Sequence, residues 1–249
     1  MQNTPAKIKT KDKMAEPTPL QSIARLNNQA VARLSVADVF TAAQILQNAL
    51  YHFQHLPPPI GNVEVPENST YGNGSIQYKE LHLKLRENSA AMSPHNLFEL
   101  CPYVFLLPEG NDGDETDTAL FNRAHFFTVL LYNLSVTVYC VGVKRTQHSS
   151  FKKSLHLIDL VLSVHQYKGH IDDDALGGQM GLVLLAAEYH RAHLLSHFCR
   201  TDQVWDRQKM ISAALRQLES DVESDDCMLF FFLAYQLQTS DFPTIAASA

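Results

Sequence analysis

Small and apolar residues recur along this chain in three matched stretches, each reading as a helix, a turn and a second helix. The first runs from Leu26, Asn27, Asn28, Gln29 and Ala30 through Ala37, Asp38 and Val39 to Ala42, Leu46, Ala49 and Leu50. The second runs from Leu131, Tyr132, Asn133, Leu134 and Ser135 through Gly142 to Phe151, Ser154, Ile158, Val161 and Leu162. The third centres on Ala192, resumes at Val204 and continues through Ile211, Ala214 and Leu215. Spacings of three and four residues put the apolar positions of each segment on one helical face. A helical hairpin cannot bury such a face alone, so the copies are expected to stack on one another.

Proline and alternation set the rest of the layout. Pro5, Pro17 and Pro19 make residues 1–18 an expected disordered tail, and Pro57, Pro58 and Pro59 stop the first hairpin, which runs from Pro19 to His55. The repeat domain is expected over 19–243, with an insertion at 56–119 and a short tail at 244–249. Inside the insertion, the later half of Ile76–Leu85 alternates as a half-buried strand does, and Tyr103–Leu107 is a strand-favouring run between Pro102 and Pro108. Met228–Tyr235 is a third strand candidate, with a short terminal helix as the alternative that periodicity does not separate. These runs are expected to pair as a ribbon capping the helices. Val143–Ser150 reads as a loop between the two helices of the second copy, and Glu109–Asp117 as an acidic surface loop.

The pattern resembles the tetratricopeptide repeat (TPR), in the divergent form found as large paralogue sets in algal genomes. Ala30 stands at the family's small helix-crossing position, Ala37-Asp38-Val39 at its Gly-Asp-Tyr turn, and Ala42, Leu46 and Ala49 at its second-helix Ala, Phe and Ala. The resemblance implies a mostly α fold, a TPR-like superhelix of stacked hairpins carrying a small β ribbon. It also implies a concave groove holding an extended peptide or a helix, lined here by Asn27, Val31, Tyr132, Val136, Tyr139, Tyr189, His193 and His197. The family's carboxylate clamp for chaperone tails is not implied. Asn133 and Asn27 fit its pattern, but Ala186 and His190 stand where it needs fixed positive charge.

Composition narrows the function. With 45% hydrophobic and 18% charged residues the chain is globular in class. A net charge of -6, with basic residues concentrated only at Lys7, Lys9, Lys11 and Lys13, argues against nucleic acid as a partner. Cys101, Cys140, Cys199 and Cys227 include no close pair, and the N-terminus lacks a signal-peptide core, so reduced thiols and a cytoplasmic location are expected. Phe126–Val143 is uncharged, but its Asn133, Ser135 and Thr137 and its place in the second copy favour a packed helix over a membrane span.

His190, His193 and His197 would share one helical face and could ligate a metal, yet no matching fourth ligand is in sight, and a solvated or partner-facing stripe is the plainer reading. Gly177–Gly181 opens a helix without a phosphate-loop signature, Asp172–Asp174 lacks calcium-loop spacing, and Glu219–Asp226 reads as a solvated linker. No nucleophile elbow, zinc-protease motif or Cys–His pairing is present. The expectation is a non-catalytic adaptor without cofactor, binding an unidentified protein or peptide. A metal-dependent enzyme on the histidine face and a homo-oligomerising module are the alternatives.

Overall fold

A Thr-Pro pair starts the first helix. Thr18 Oγ1 accepts from the Gln21 N–H at 3.2 Å while Gln21 Oε1 accepts from the Thr18 N–H at 2.8 Å, a reciprocal cap that satisfies two otherwise unpaired donors. Pro19 occupies the first helical position, where its missing N–H costs nothing. Helix α1 spans Pro19–Ser35 and α2 spans Val39–Gln54, capped by Asp38, whose Oδ1 accepts from the Thr41 N–H at 3.4 Å. The structure is a computed structural model and describes residues 17–57, 76–81, 103–109, 123–166 and 179–198. Within it follow β1 (Gln77–Glu80), β2 (Tyr103–Leu106), α3 (Arg123–Arg145), α4 (His148–Gln166) and α5 (Gln179–His197).

Two of the expected hairpins are present, closed by the same kind of turn. Ala37 and Thr146 both take positive φ, 59° and 50°. In each turn the next N–H reaches back five residues, Asp38 to the Arg33 carbonyl at 3.0 Å and Gln147 to the Gly142 carbonyl at 2.9 Å. Lys144 donates to the Ala37 carbonyl, and the Arg145 guanidinium lies 4.4 Å from the centre of the Phe40 ring, which ties the two turns together.

The loop expected at Val143–Ser150 does not exist. Only Thr146 and Gln147 separate α3 from α4. The second copy is seven residues longer than the first between its small crossing residues, Ser135 to Ser154 against Ala30 to Ala42. Those residues lengthen both helices, by about one turn each, which keeps the packed faces in phase.

The small residues of the repeat pattern lie in the interior. Ala30, Ala42, Ala49, Ser135, Ser154 and Ala192 are fully buried. Gly142 allows the closest approach: a Cβ there would lie 2.9 Å from both Phe151 Cε1 and Ser150 Cβ. Helix α3 packs against α2, α4, α5 and α1, and α4 packs in turn against α5. By length and composition α3 could cross a membrane, with mean hydropathy 1.8, but 78% of its most apolar window is buried among these neighbours.

The two strands pair antiparallel, Gln77 with Leu106, Tyr78 with Phe105, Lys79 with Val104 and Glu80 with Tyr103. The first strand thus uses the earlier half of Ile76–Leu85, not the alternating later half, whose residues 82–85 lie outside the described residues. Strand β2 rests on α1 and α3. Also outside the described residues are most of the N-terminal tail, Gly177 and Gly178, Asp172–Asp174, the second helix of the third copy from Val204, Glu219–Asp226, Met228–Tyr235 and the tail 244–249.

Candidate functional site

Asparagine is a poor choice for a helix interior, because its amide competes for nearby backbone groups. The chain nevertheless places Asn27 and Asn28 in the middle of α1 and Asn133 in the middle of α3. All three grip main chain, Asn27 and Asn133 that of β2 and Asn28 that of Leu107 just after it. Asn133 Oδ1 accepts from the Phe105 N–H at 3.0 Å, and its Nδ2 donates to the Phe105 carbonyl at 2.7 Å. Asn27 Nδ2 donates to the same carbonyl at 3.0 Å, and Asn133 Nδ2 also donates to Asn27 Oδ1 at 2.8 Å. Asn28 repeats the two-way grip at Leu107, donating to its carbonyl at 2.8 Å and accepting from its N–H at 2.9 Å. At the other end, the Tyr132 hydroxyl donates to the Tyr103 carbonyl at 3.2 Å.

The contacts fall on residues 103, 105 and 107, every second position. Successive residues of a strand direct their N–H and C=O groups to opposite edges. One edge of β2 therefore faces β1, and the other is closed by side chains of α1 and α3. An unpaired strand edge buried against helices would leave donors and acceptors without partners, at a cost of about 1–3 kcal/mol for each. The asparagine amides act as a third strand.

Apolar contacts complete the seat. Tyr103, Val104, Phe105 and Leu107 are buried, and the Phe105 ring meets the Tyr132 ring edge-on at 5.2 Å. Where the strand emerges, Glu109 Oε1 accepts from Asn28 Nδ2 at 2.9 Å, and Glu109 Oε2 lies 3.8 Å from Arg25 Nε in an exposed ion pair.

The groove expected from the repeat pattern needs correcting. Of its eight residues, Asn27, Val31, Tyr132, Val136, Tyr139, Tyr189 and His193 are buried and His197 is half-buried. Asn27 and Tyr132 are covered by β2. Tyr139 faces α5 instead, its ring 5.0 Å from His193 and 5.7 Å from His190. Sequence reasoning picked out Asn27 and Asn133 but missed Asn28 and the strand that occupies them. The available signal was two adjacent asparagines inside an otherwise strong helix.

The histidine face is likewise interior. Ser135 Oγ donates to the Ser154 carbonyl at 2.8 Å and Ser154 Oγ donates to the Ser135 carbonyl at 2.9 Å, a reciprocal bridge at the α3–α4 crossing. Ser154 Oγ also lies 2.9 Å from Ser135 Oγ and 3.2 Å from His190 Nε2, so the three side chains share one buried polar cluster. His190 is fully buried, and burial, then the neighbouring His193, holds its pKa well below the usual imidazole value. The His190 and His193 rings stack 6.2 Å apart, whereas His197 joins Phe151 at 4.4 Å and His148 at 5.5 Å. Burial and the nearby His148 lower the His197 pKa too. The solvated stripe expected from the sequence is therefore a packed one.

Among the described residues no three His, Cys, Asp or Glu side chains converge as a metal site. Ser154 and His190 form a nucleophile–base pair in outline, but both are inaccessible. Cys140 is a free, buried thiol whose pKa burial pushes up to about 12, so it stays protonated. Comparison with family models, curated proteins and solved structures finds no match to this chain.

Proposed function

We propose that this chain is a non-catalytic adaptor, a TPR-like superhelix of stacked hairpins whose first-helix faces hold an extended peptide segment. The observation that supports the reading is the asparagine face itself. Asn27, Asn28, Asn133 and Tyr132 read the main chain of a strand at every second residue, as a peptide-binding groove must. A helical partner does not suit this face, because its backbone groups are already paired internally. Among the described residues the pair that could suggest catalysis, Ser154 and His190, is enclosed.

Capture of partners from the native cell tests the reading. The full chain is compared with the double variant Asn27→Ala/Asn133→Ala and with Lys152→Ala/Lys153→Ala on the exposed side of α4. Partners retained by wild type and by the lysine variant, and lost from the asparagine variant, are the expected result. Loss from the lysine variant alone would overturn the groove assignment.

A further inference from the structure

We propose that the paired turns of the two hairpins are a docking surface for an anionic membrane, where basic side chains surround an exposed apolar tip. This goes beyond the adaptor reading and does not rest on it. The sequence scatters these cations and the fold collects them. Arg33 lies in the last turn of α1, and Lys144 and Arg145 lie in the last turn of α3. Lys152 and Lys153 stand exposed about 6–8 Å into α4, at a rise of about 1.5 Å per residue. Lys144 donates to the Ala37 carbonyl and Arg145 lies over the Phe40 ring, so the α1–α2 and α3–α4 turns are held side by side. From Thr118 to Ile158 the chain carries no Asp or Glu, and the carboxylate of the other turn, Asp38, is engaged as the cap of α2.

The apolar part decides between anionic partners. Val36, 70% exposed, and Phe40, 39% exposed, stand among these cations. They project from turns that close helix ends, whereas a peptide or helix is held in a groove. Nucleic acid would pair with the cations but leave both apolar side chains in water. A bilayer of anionic lipid answers both features, with headgroups for the cations and the acyl boundary for Val36 and the rim of Phe40. Each Lys or Arg near such a surface strengthens partition about fivefold, so these cations together reach half-binding at about a millimolar of accessible lipid or below. Attachment of this kind is reversible and falls with salt. Because the whole chain carries a net charge of -6, attraction to an anionic surface depends on this local concentration of positive charge.

The test is sedimentation of the full chain with vesicles of about one-third phosphatidylserine in phosphatidylcholine, beside vesicles of phosphatidylcholine alone. Wild type should bind the first and not the second, and should lose about tenfold or more in affinity between about 50 and 300 mM salt. Lys152→Ala/Lys153→Ala should weaken binding about tenfold or more, and Val36→Ser about twofold or more, with the helical circular dichroism signal unchanged in both. Lys79→Ala, at an exposed position of β1, should leave binding as it is. Equal binding to both vesicles overturns the proposal, as does full binding by the Lys152/Lys153 variant. Loss of binding in Lys7→Ala/Lys9→Ala, with the Lys152/Lys153 variant still bound, assigns attachment to the N-terminal lysines and overturns it too. Binding to soluble polyglutamate without binding to the anionic vesicles makes the turns a protein-docking surface and ends the membrane assignment.

Discussion

Replacing Asn133 by alanine should be the most damaging single change on the strand-holding face. The side chain is fully buried and makes three hydrogen bonds, two with Phe105 and one with Asn27. Truncation strips the buried Phe105 N–H of its acceptor and Asn27 Oδ1 of its donor, at about 1–3 kcal/mol for each unsatisfied group. The Phe105 carbonyl keeps its bond from Asn27, so that loss is partial. The sum is about 3 kcal/mol, or roughly 6–12 °C in melting temperature for a chain of this size.

Asn27→Ala should cost less, about 1–2 kcal/mol, because Asn133 continues to serve both groups of Phe105. The double variant should cost less than the two singles added, since the Asn27–Asn133 bond is counted in both. Asn133→Asp should be at least as damaging as Asn133→Ala at neutral pH. Its carboxylate can accept from the Phe105 N–H but must face the Phe105 carbonyl with no proton to offer. Urea unfolding of the four variants measures these differences. An Asn133→Ala cost within about 0.5 kcal/mol of zero, typical of uninvolved surface changes, would refute the account, as would Asn27→Ala costing more than Asn133→Ala.

Stability should also fall in mild acid. His190 has a folded pKa below its unfolded value of about 6.5, so its contribution is fully present above that pH and is lost as pH drops toward the lowered value, by up to about 1.4 kcal/mol per unit. Urea midpoints between pH 7.5 and 5 should show this slope and lose part of it in His190→Gln; an unchanged slope would sink the idea. Gly142→Ala should lower the melting temperature, because the clash with Phe151 and Ser150, about 1–3 kcal/mol, outweighs the roughly 1 kcal/mol that helix propensity offers.

The first hairpin was legible in extent, Pro19 to His55, and in its small buried residues Ala30 and Ala42, whereas the caps Thr18 and Asp38 went unread and Pro19, taken as a breaker, opens the helix. The second was legible in content but not in connection. Seven extra residues preserve the apolar phase whether they form a loop or lengthen two helices, since seven is close to two helical turns. Periodicity alone could not choose between these. The groove positions failed for a different reason. Offsets from Ala30, Ser135 and Ala192 say which residues share a face, but not that a strand from the insertion lies on that face in α1 and α3.

The three asparagines follow from what a strand edge demands. Each gripped residue, Phe105 and Leu107, presents a donor and an acceptor side by side, and both are removed from bulk water. A carboxylate supplies acceptors only, and lysine or arginine supplies donors only. A serine or threonine hydroxyl has a single proton on a short arm, and cannot span a peptide's N–H and C=O. The planar amide of asparagine carries both functions on one group, in the arrangement of the peptide unit it replaces. A glutamine would do the same chemistry one methylene farther from the helix, holding the ribbon off Tyr132 and losing the ring contact with Phe105. Geometry at the strand edge, against the grain of helix propensity, is what sets Asn27, Asn28 and Asn133 on the inner faces of α1 and α3.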